Sequence, residues 1–305
     1  MNKRLFILIF VVLAVGAVVT GALYAREKGN VSTLETDLAA AETQISTLET
    51  DLTDLKTEAL TTEADLAAAE AEVLALETAL AKTVFPVTFS DSDLEAAIRE
   101  VIDKSEGSIS TSDLESLTKF LAPWKSINDI TSLEYCLNLQ ELYLYANNIS
   151  DISPLAGLSK LEWLYLDHNN ISDISILTGF SNLQQLGLDG NNINDISALA
   201  GLSKLEWLYL GTNNISDISA LAGLSKLKTL VLRDNNISDI SALAGLSNLE
   251  MLVLAGNNIS DISALVDNVG FSDGNSVNLI GNPLSAESIN IYIPQLEERG
   301  VTIYY

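Results

Sequence analysis

A 22-residue period between Leu139 and Leu265 leaves few folds open to this chain, because a frame that returns unchanged can bury its apolar positions only by stacking copy on copy. In the first copy the frame is Leu139, Leu142, Leu144, Asn147, Ile149, Ile152 and Leu155, and it begins again at Leu161, Leu183, Leu205, Leu227 and Leu249. Leu142 and Leu144 stand at strand spacing, so both turn inward and Tyr143 between them turns outward. Ile149, Ile152 and Leu155 then fill the same core from the returning side. The expectation is an α/β solenoid with one short strand and one return segment per coil.

A coil this tight strands backbone N–H and C=O groups inside, where each unpaired one costs roughly 1–3 kcal/mol. A side-chain amide both donates and accepts. Asn147, Asn169, Asn191, Asn213, Asn235 and Asn257 should therefore form a ladder that satisfies buried backbone between neighbouring coils. A second column, Asp129, Asp151, Asp173, Asp195, Asp217, Asp239 and Asp261, recurs at the same interval. One carboxylate per coil, with no glycine-turned loop, falls short of the 6–8 oxygens of a calcium site, so capping of the tight turn explains it better.

The frame, with N-N-I-S-D-I-S-x-L-A-G-L-S recurring, resembles the internalin-type leucine-rich repeats of bacterial surface proteins over about residues 117–284. The resemblance implies a right-handed horseshoe with a parallel concave sheet and helical caps, and a non-enzymatic binding scaffold often displayed outside the cell. It names no ligand.

Upstream the pattern changes twice. After a short basic tail, 1–4, an uncharged run at 5–24 would span about 30 Å as a helix, the thickness of a bilayer core. Its length exceeds the usual h-region of a cleaved signal and favours an uncleaved transmembrane anchor. Cleavage near Ala22 or Ala25, giving a secreted protein, is the rival. From 30 to 83 a heptad takes over, with Val31, Leu38, Ile45, Leu52, Leu66, Val73 and Leu80 at position a and no Pro or Gly in the register. This reads as a long coiled-coil stalk. Its flanking positions are acidic apart from Lys56, with Glu35, Glu42 and Glu49 at e and Asp37, Asp51 and Asp65 at g, so self-pairing is weakened: the stalk reads as a solvated spacer that oligomerises only weakly, or alternatively as one strand for a basic coiled-coil partner.

Phe85-Pro86 ends that helix, and 86–116 is expected to be a helical N-terminal cap. Ser90-x-x-Asp93 reads as the capping box of its first helix, and Ser112-x-x-Glu115 lies in a second helix from Thr111 to Leu117. A degenerate coil follows, with Leu117, Phe120, Ala122, Ile127 and Ile130 in frame and Lys125 at the ladder position. The repeats run to 284. Three extra residues delay the last coil, so Phe271 to Asn275 should bulge as a loop. A C-terminal cap, 285–305, holds a helix from Ala286 to Glu298 disturbed at Pro294, then a strand.

The composition excludes several functions. Net charge is −25, which argues against nucleic acid, since backbone binding needs a basic footprint. His168 is the only histidine and Cys136 the only cysteine, so Ser-His-Asp, Cys-His and multi-histidine metal sets are absent. There is no phosphate-cradling glycine motif, and the expectation is no catalytic residue, no metal and no cofactor. Cys136 reads as a small buried hydrophobe. The Asn-Ile-Ser triplets at Asn148, Asn170, Asn214, Asn236 and Asn258 match the glycosylation acceptor pattern, but the repeat frame generates them.

Function can vary only where the frame does. The outward strand positions read Tyr143, Tyr165, Gly187, Tyr209, Val231 and Val253 in one column, and Glu141, Trp163, Gln185, Trp207, Thr229 and Met251 in the next. Aromatics crowd the first four coils, and Gly187 should leave a gap between Tyr165 and Tyr209. The candidate ligand-binding residues are Tyr143, Tyr145, Trp163, Tyr165, His168, Gln185, Trp207, Tyr209 and Arg233, the alternative being that aromatics simply suit strands and pair across coils. Asp167, Asp189 and Glu206 around them fit a glycan or a basic peptide better than an anionic ligand. The expected molecule is a single-pass cell-membrane protein whose extracellular head binds a protein or glycan. The alternative is an assembly adaptor that works through its acidic coiled coil.

Overall fold

The structure, a computed structural model, describes residues 86–305 and seven residues of the preceding segment: Thr36, Ala39, Ala40, Thr43, Ser46, Thr47 and Thr50. The chain divides into two units, Met1–Thr83 and Val84–Tyr305. The seven residues of the first are helical and exposed, and each falls at an outer b, c or f position of the heptad. The expected anchor at 5–24 and the a, d, e and g positions that would decide the pairing of the stalk lie outside the described residues. Among the described residues, no helix is long and apolar enough to cross a membrane.

The second unit is built on one sheet of nine parallel strands in chain order. They are β1 Lys119–Leu121, β2 Glu141–Tyr143, β3 Trp163–Tyr165, β4 Gln185–Gly187, β5 Trp207–Tyr209, β6 Thr229–Val231, β7 Met251–Val253, β8 Ser276–Asn278 and β9 Thr302–Tyr304. The register pairs equivalent residues of successive repeats, Leu142 with Leu164 and Leu164 with Leu186. Every leucine and isoleucine of the repeat frame is buried, as are Phe120, Ala122, Ile127 and Ile130 of the degenerate coil. The return segments are mostly short 3-10 turns such as Ser153–Leu155 and Ser197–Leu199. Within the repeats the α-helical form appears only at Ser263–Asp267.

The two polar columns do what the sequence led us to expect. Asn169 Nδ2 donates to Leu144 O and Leu166 O, both at 3.0 Å, and its Oδ1 accepts from Ile149 N at 3.0 Å. One amide thus closes two orphan carbonyls and one orphan N–H across two coils, and Asn191, Asn213, Asn235 and Asn257 repeat the pattern. Asp151 Oδ1 accepts from Ser153 N at 2.8 Å, with the same bond at Asp173, Asp195, Asp217, Asp239 and Asp261. These carboxylates fix the entry to each return turn, and at Asp173, Asp195, Asp217 and Asp239 the serine N–H ahead of the group holds the pKa below its ordinary value.

At the N-terminal end the capping residues differ from expectation. The first helix, α1 (Ser92–Val101), is capped by Asp91 rather than Ser90: its Oδ1 accepts from Asp93 N and Leu94 N, both at 2.9 Å. Its Oδ2 accepts from Asn128 N at 2.8 Å and Asp129 N at 3.2 Å, so one buried carboxylate ties the cap to the first coil. Burial pushes that carboxyl up, and the four N–H donors outweigh it and hold the pKa low. The second helix, α2 (Thr111–Glu115), has its capping box at Ser110 and Asp113, two residues ahead of the expected Ser112 and Glu115, and stops short of Leu117.

At the far end Phe271 does not bulge. It is buried in the core, at the frame position of Phe180 and Leu246, and the loop is confined to Ser272–Asn275. The three extra residues are absorbed before it, in α3 (Ser263–Asp267) and at the buried Asn268, whose Nδ2 donates to Leu243 O and Leu246 O. The C-terminal helix runs from Ala286 through a π turn at Ser288–Tyr292 into α4 (Ile293–Glu298). The wider turn lies just ahead of Pro294, which has no N–H to give.

Candidate functional site

Among the described residues nothing covers the outer face of the sheet, and the parallel register sets its side chains in columns. Glu141, Trp163, Gln185 and Trp207 align in one, and Tyr143, Tyr165, Gly187 and Tyr209 in the next. In a third, just past the strand ends, follow Tyr145, Asp167, Asp189, Gly211 and Arg233. The aromatic rings of the first two columns are half-buried.

The tyrosines form a connected strip. Tyr143 and Tyr165 stack with ring centroids 5.2 Å apart and planes 4° from parallel. Tyr165 and Tyr209 lie 6.5 Å apart and tilted by 35°, although a whole coil stands between them. The expected gap at Gly187 is therefore filled. A Cβ at Gly187 would stand 2.4 Å from Asp167 Oδ2 and 2.6 Å from Tyr165 Cδ1. The missing side chain lets both groups lean into its place, and the Tyr165 hydroxyl reaches Gln185 Oε1, to which it donates.

Two carboxylates make a chain beside this strip. Asp167 Oδ1 accepts from Asp189 N at 3.0 Å, and Asp189 Oδ1 accepts from Gly211 N. Asp189 Oδ2 pairs with Arg233 at 3.1 Å, which also reaches Thr212 and Asp234. Burial, with the Asp189 charge added, pushes the Asp167 carboxyl up to about 6 against the pull of the Asp189 N–H. Burial also drives the Tyr143 and Tyr165 hydroxyls up to about 12, and raises Tyr209. All three are neutral donors at ordinary pH.

Not every sequence-derived candidate sits in this strip. Trp163 and Trp207 flank it, separated by Gln185, and Tyr145 stands beyond its first edge. His168 is exposed at the left-handed corner after the strand (φ 53°), with its ring over Gly190. Trp124, 76% exposed, occupies the equivalent corner of the first coil (φ 58°). Sequence reasoning left out two lysines. Lys119 Nζ lies 5.3 Å from the Tyr143 centroid and pairs with Glu141 at 2.7 Å. Lys228 Nζ lies 5.2 Å from the Trp207 centroid and pairs with Glu206 at 2.5 Å. Each is the in-register neighbour of the acid or ring it meets, a pairing the 22-residue offset could have supplied. Cys136 is buried and its thiol is pushed up to about 12 by burial, which makes it unreactive.

The model of leucine rich repeats in two copies matches in overlapping windows from 137–179 to 225–267. An internalin (inlF) from Listeria monocytogenes strain 4b F2365 is similar in structure with a TM-score of 0.59 and 31% sequence identity, over 72% of this chain and 71% of that one. An internalin C2 (inlC2) from the same strain is similar with a TM-score of 0.51 and 35% identity, over 67% of this chain and 98% of that one. The chain belongs to the internalin family of leucine-rich repeat proteins. No curated protein sequence matches it. In this internalin-like chain the repeat model covers the coils that carry the tyrosine strip, so the strip is an elaboration of the repeat's variable outer positions. Rings, amides and carboxylates without a nucleophile–base pair suit recognition.

Proposed function

We propose that the protein is a membrane-anchored, extracytoplasmic binding protein that recognises a protein or glycan ligand through the outer, concave face of its sheet. The observation that carries this reading is the tyrosine strip. Rings on a preformed face bury large areas at low entropic cost while their polar tips stay wet, which is how binding anchors behave. The length of the uncharged run 5–24 supports an anchor. Lys3 and Arg4 before it are nearly balanced by Arg26 and Lys28 after it, and the short basic tail with a long acidic remainder favours the repeats outside.

Two measurements test it. Protease applied to intact cells should release the repeat unit without lysis, and full protection sinks the surface location. Trp163→Ala combined with Trp207→Ala should abolish binding to an array of basic peptides and glycans while hardly moving the melting temperature. A double variant that instead loses roughly 2–5 kcal/mol, like a core truncation, would make the rings structural.

A further inference from the structure

Three carboxylate–ring pairs stand on the outer face of the sheet, and two are completed by a lysine of the chain itself. Lys119 closes the pair of Glu141 and Tyr143, and Lys228 closes the pair of Glu206 and Trp207. The third is Asp167 with Tyr165 and Tyr209. Backbone N–H groups of Asp189 and of Asp167 itself donate to this carboxylate, while its Oδ2, turned into the space over Gly187, enters no ion pair among the described residues. Arg233, three coils beyond Asp167, spends its charge on Asp189 and Asp234. Among the described residues this third pair meets no lysine or arginine, and one face of Tyr165 is already stacked on Tyr143.

We propose that Asp167, Tyr165 and Tyr209 form a receptor for one cationic side-chain group, a lysine ammonium or an arginine guanidinium, presented by a protein ligand. The proposal rests on the reading of this face as the binding face and specifies what it takes. A cation over tilted tyrosine rings is held by their quadrupoles, and a half-buried carboxylate gives it a partner in a setting less screened than bulk water. Gly187 is what makes the place, since any side chain there would displace both Tyr165 and the carboxylate.

The receptor is charged only when Asp167 is ionised, and burial sets that pKa at about 6. The groups facing it are Asp189, whose charge adds to burial in raising that pKa although it is paired with Arg233, the neutral hydroxyls of Tyr165 and Tyr209, and His168 on the adjoining corner. Affinity for a cation should therefore fall as the pH drops through 6, by about ten-fold between pH 7.5 and pH 5 as the ionised fraction falls.

The test uses the full chain with carbon-13 in its tyrosine rings and aspartate carboxyls, titrated with acetyl-lysine, acetyl-arginine and acetyl-norleucine N-methylamides. Saturable shifts at Tyr165 and Tyr209 are expected with the two cations and not with norleucine. They should weaken about ten-fold at pH 5 and in Asp167→Asn, persist in His168→Gln, and be unchanged in Asp217→Asn, which removes an equally negative group from the return side. In the unsubstituted protein the cation must also lower the Asp167 pKa, a reciprocal effect that requires no variant to fold. Equal shifts with norleucine, or equal loss from Asp217→Asn, would mean an apolar site or diffuse attraction to an acidic chain, and either overturns the proposal. If the cations fail here while the Trp163/Trp207 double variant still abolishes ligand capture, the binding face stands and the cation receptor falls. If the double variant captures ligand normally while the cations bind, the reverse holds.

Discussion

Asp167 is held at the expense of stability, and the sign can be worked out. Its folded pKa, about 6, lies above the ordinary 3.8 because burial opposes the charge, so between those values the folded chain keeps a proton that the unfolded chain has released. Its contribution to stability is full below about pH 4 and is lost as the pH rises through 6. Asp113 runs the other way. Burial raises it, but Lys104 and Ser110 outweigh that and bring it to about 2, so its contribution is present above 3.8 and is lost as the pH falls through 2. Asp167→Asn keeps an acceptor for the Asp189 N–H and removes only the charge. Thermal melts should show it more stable than the unsubstituted chain at pH 7.5 and equal to it near pH 4. Lower melting at both pH values would mean that the carboxylate is needed for the fold, and the burial account would be wrong. The sequence displayed Asp167 but not its burial, because burial depends on Gly187 one coil away. Periodicity marked that glycine as a gap, and the structure shows it as a seat for its neighbours.

At the scale of the element, legibility follows locality. Strands, return turns and both polar columns repeat within 22 residues, so their bonds could be written from the frame. The caps could not. Ser90 and Asp91 are both competent to cap α1, and the choice falls to Asp91 because its second oxygen reaches Asn128 and Asp129, a contact no local motif contains. Phe271 shows the same limit, since counting gives three extra residues without saying where the coil absorbs them. The structure places them around α3, and that draws Gly270 hard against the preceding coil. A Cβ there would meet the Ser247 carbonyl oxygen at 2.0 Å, whereas one on Gly201 would meet nothing within 4 Å. Gly270→Ala should therefore cost about 1–3 kcal/mol by forcing coils apart, and Gly201→Ala should stay within about 0.5 kcal/mol of the unsubstituted chain. Urea denaturation of the pair decides it. Equal midpoints would mean that the coil around α3 yields freely.

For the repeat unit as a whole, the backbone of each coil bonds only to its neighbours, and apart from Asp189–Arg233 and Tyr165–Tyr209, which skip a coil, stability is close to a sum of coil and interface contributions. That makes interior coils dispensable in a way the caps are not. Removing residues 236–257 joins Asn235 to Asn258 and leaves the frame unbroken, because the excised length is one period. Asn268, which now donates to the Leu243 and Leu246 carbonyls, would find those of Leu221 and Leu224 at the same frame positions. Gly270 would meet Ser225 in place of Ser247, again a serine of the same register. The tyrosine strip and Asp167 lie upstream of the cut and keep every partner named for them. The shortened chain is expected to unfold in one cooperative transition, several degrees below the full chain, with its cation titration at Tyr165 and Tyr209 unchanged. Calorimetry with the same ring-carbon titration reads both. A shortened chain that folds but loses the titration would show that the site depends on coils beyond Arg233, and one that fails to fold would show that the coils are not interchangeable along the solenoid.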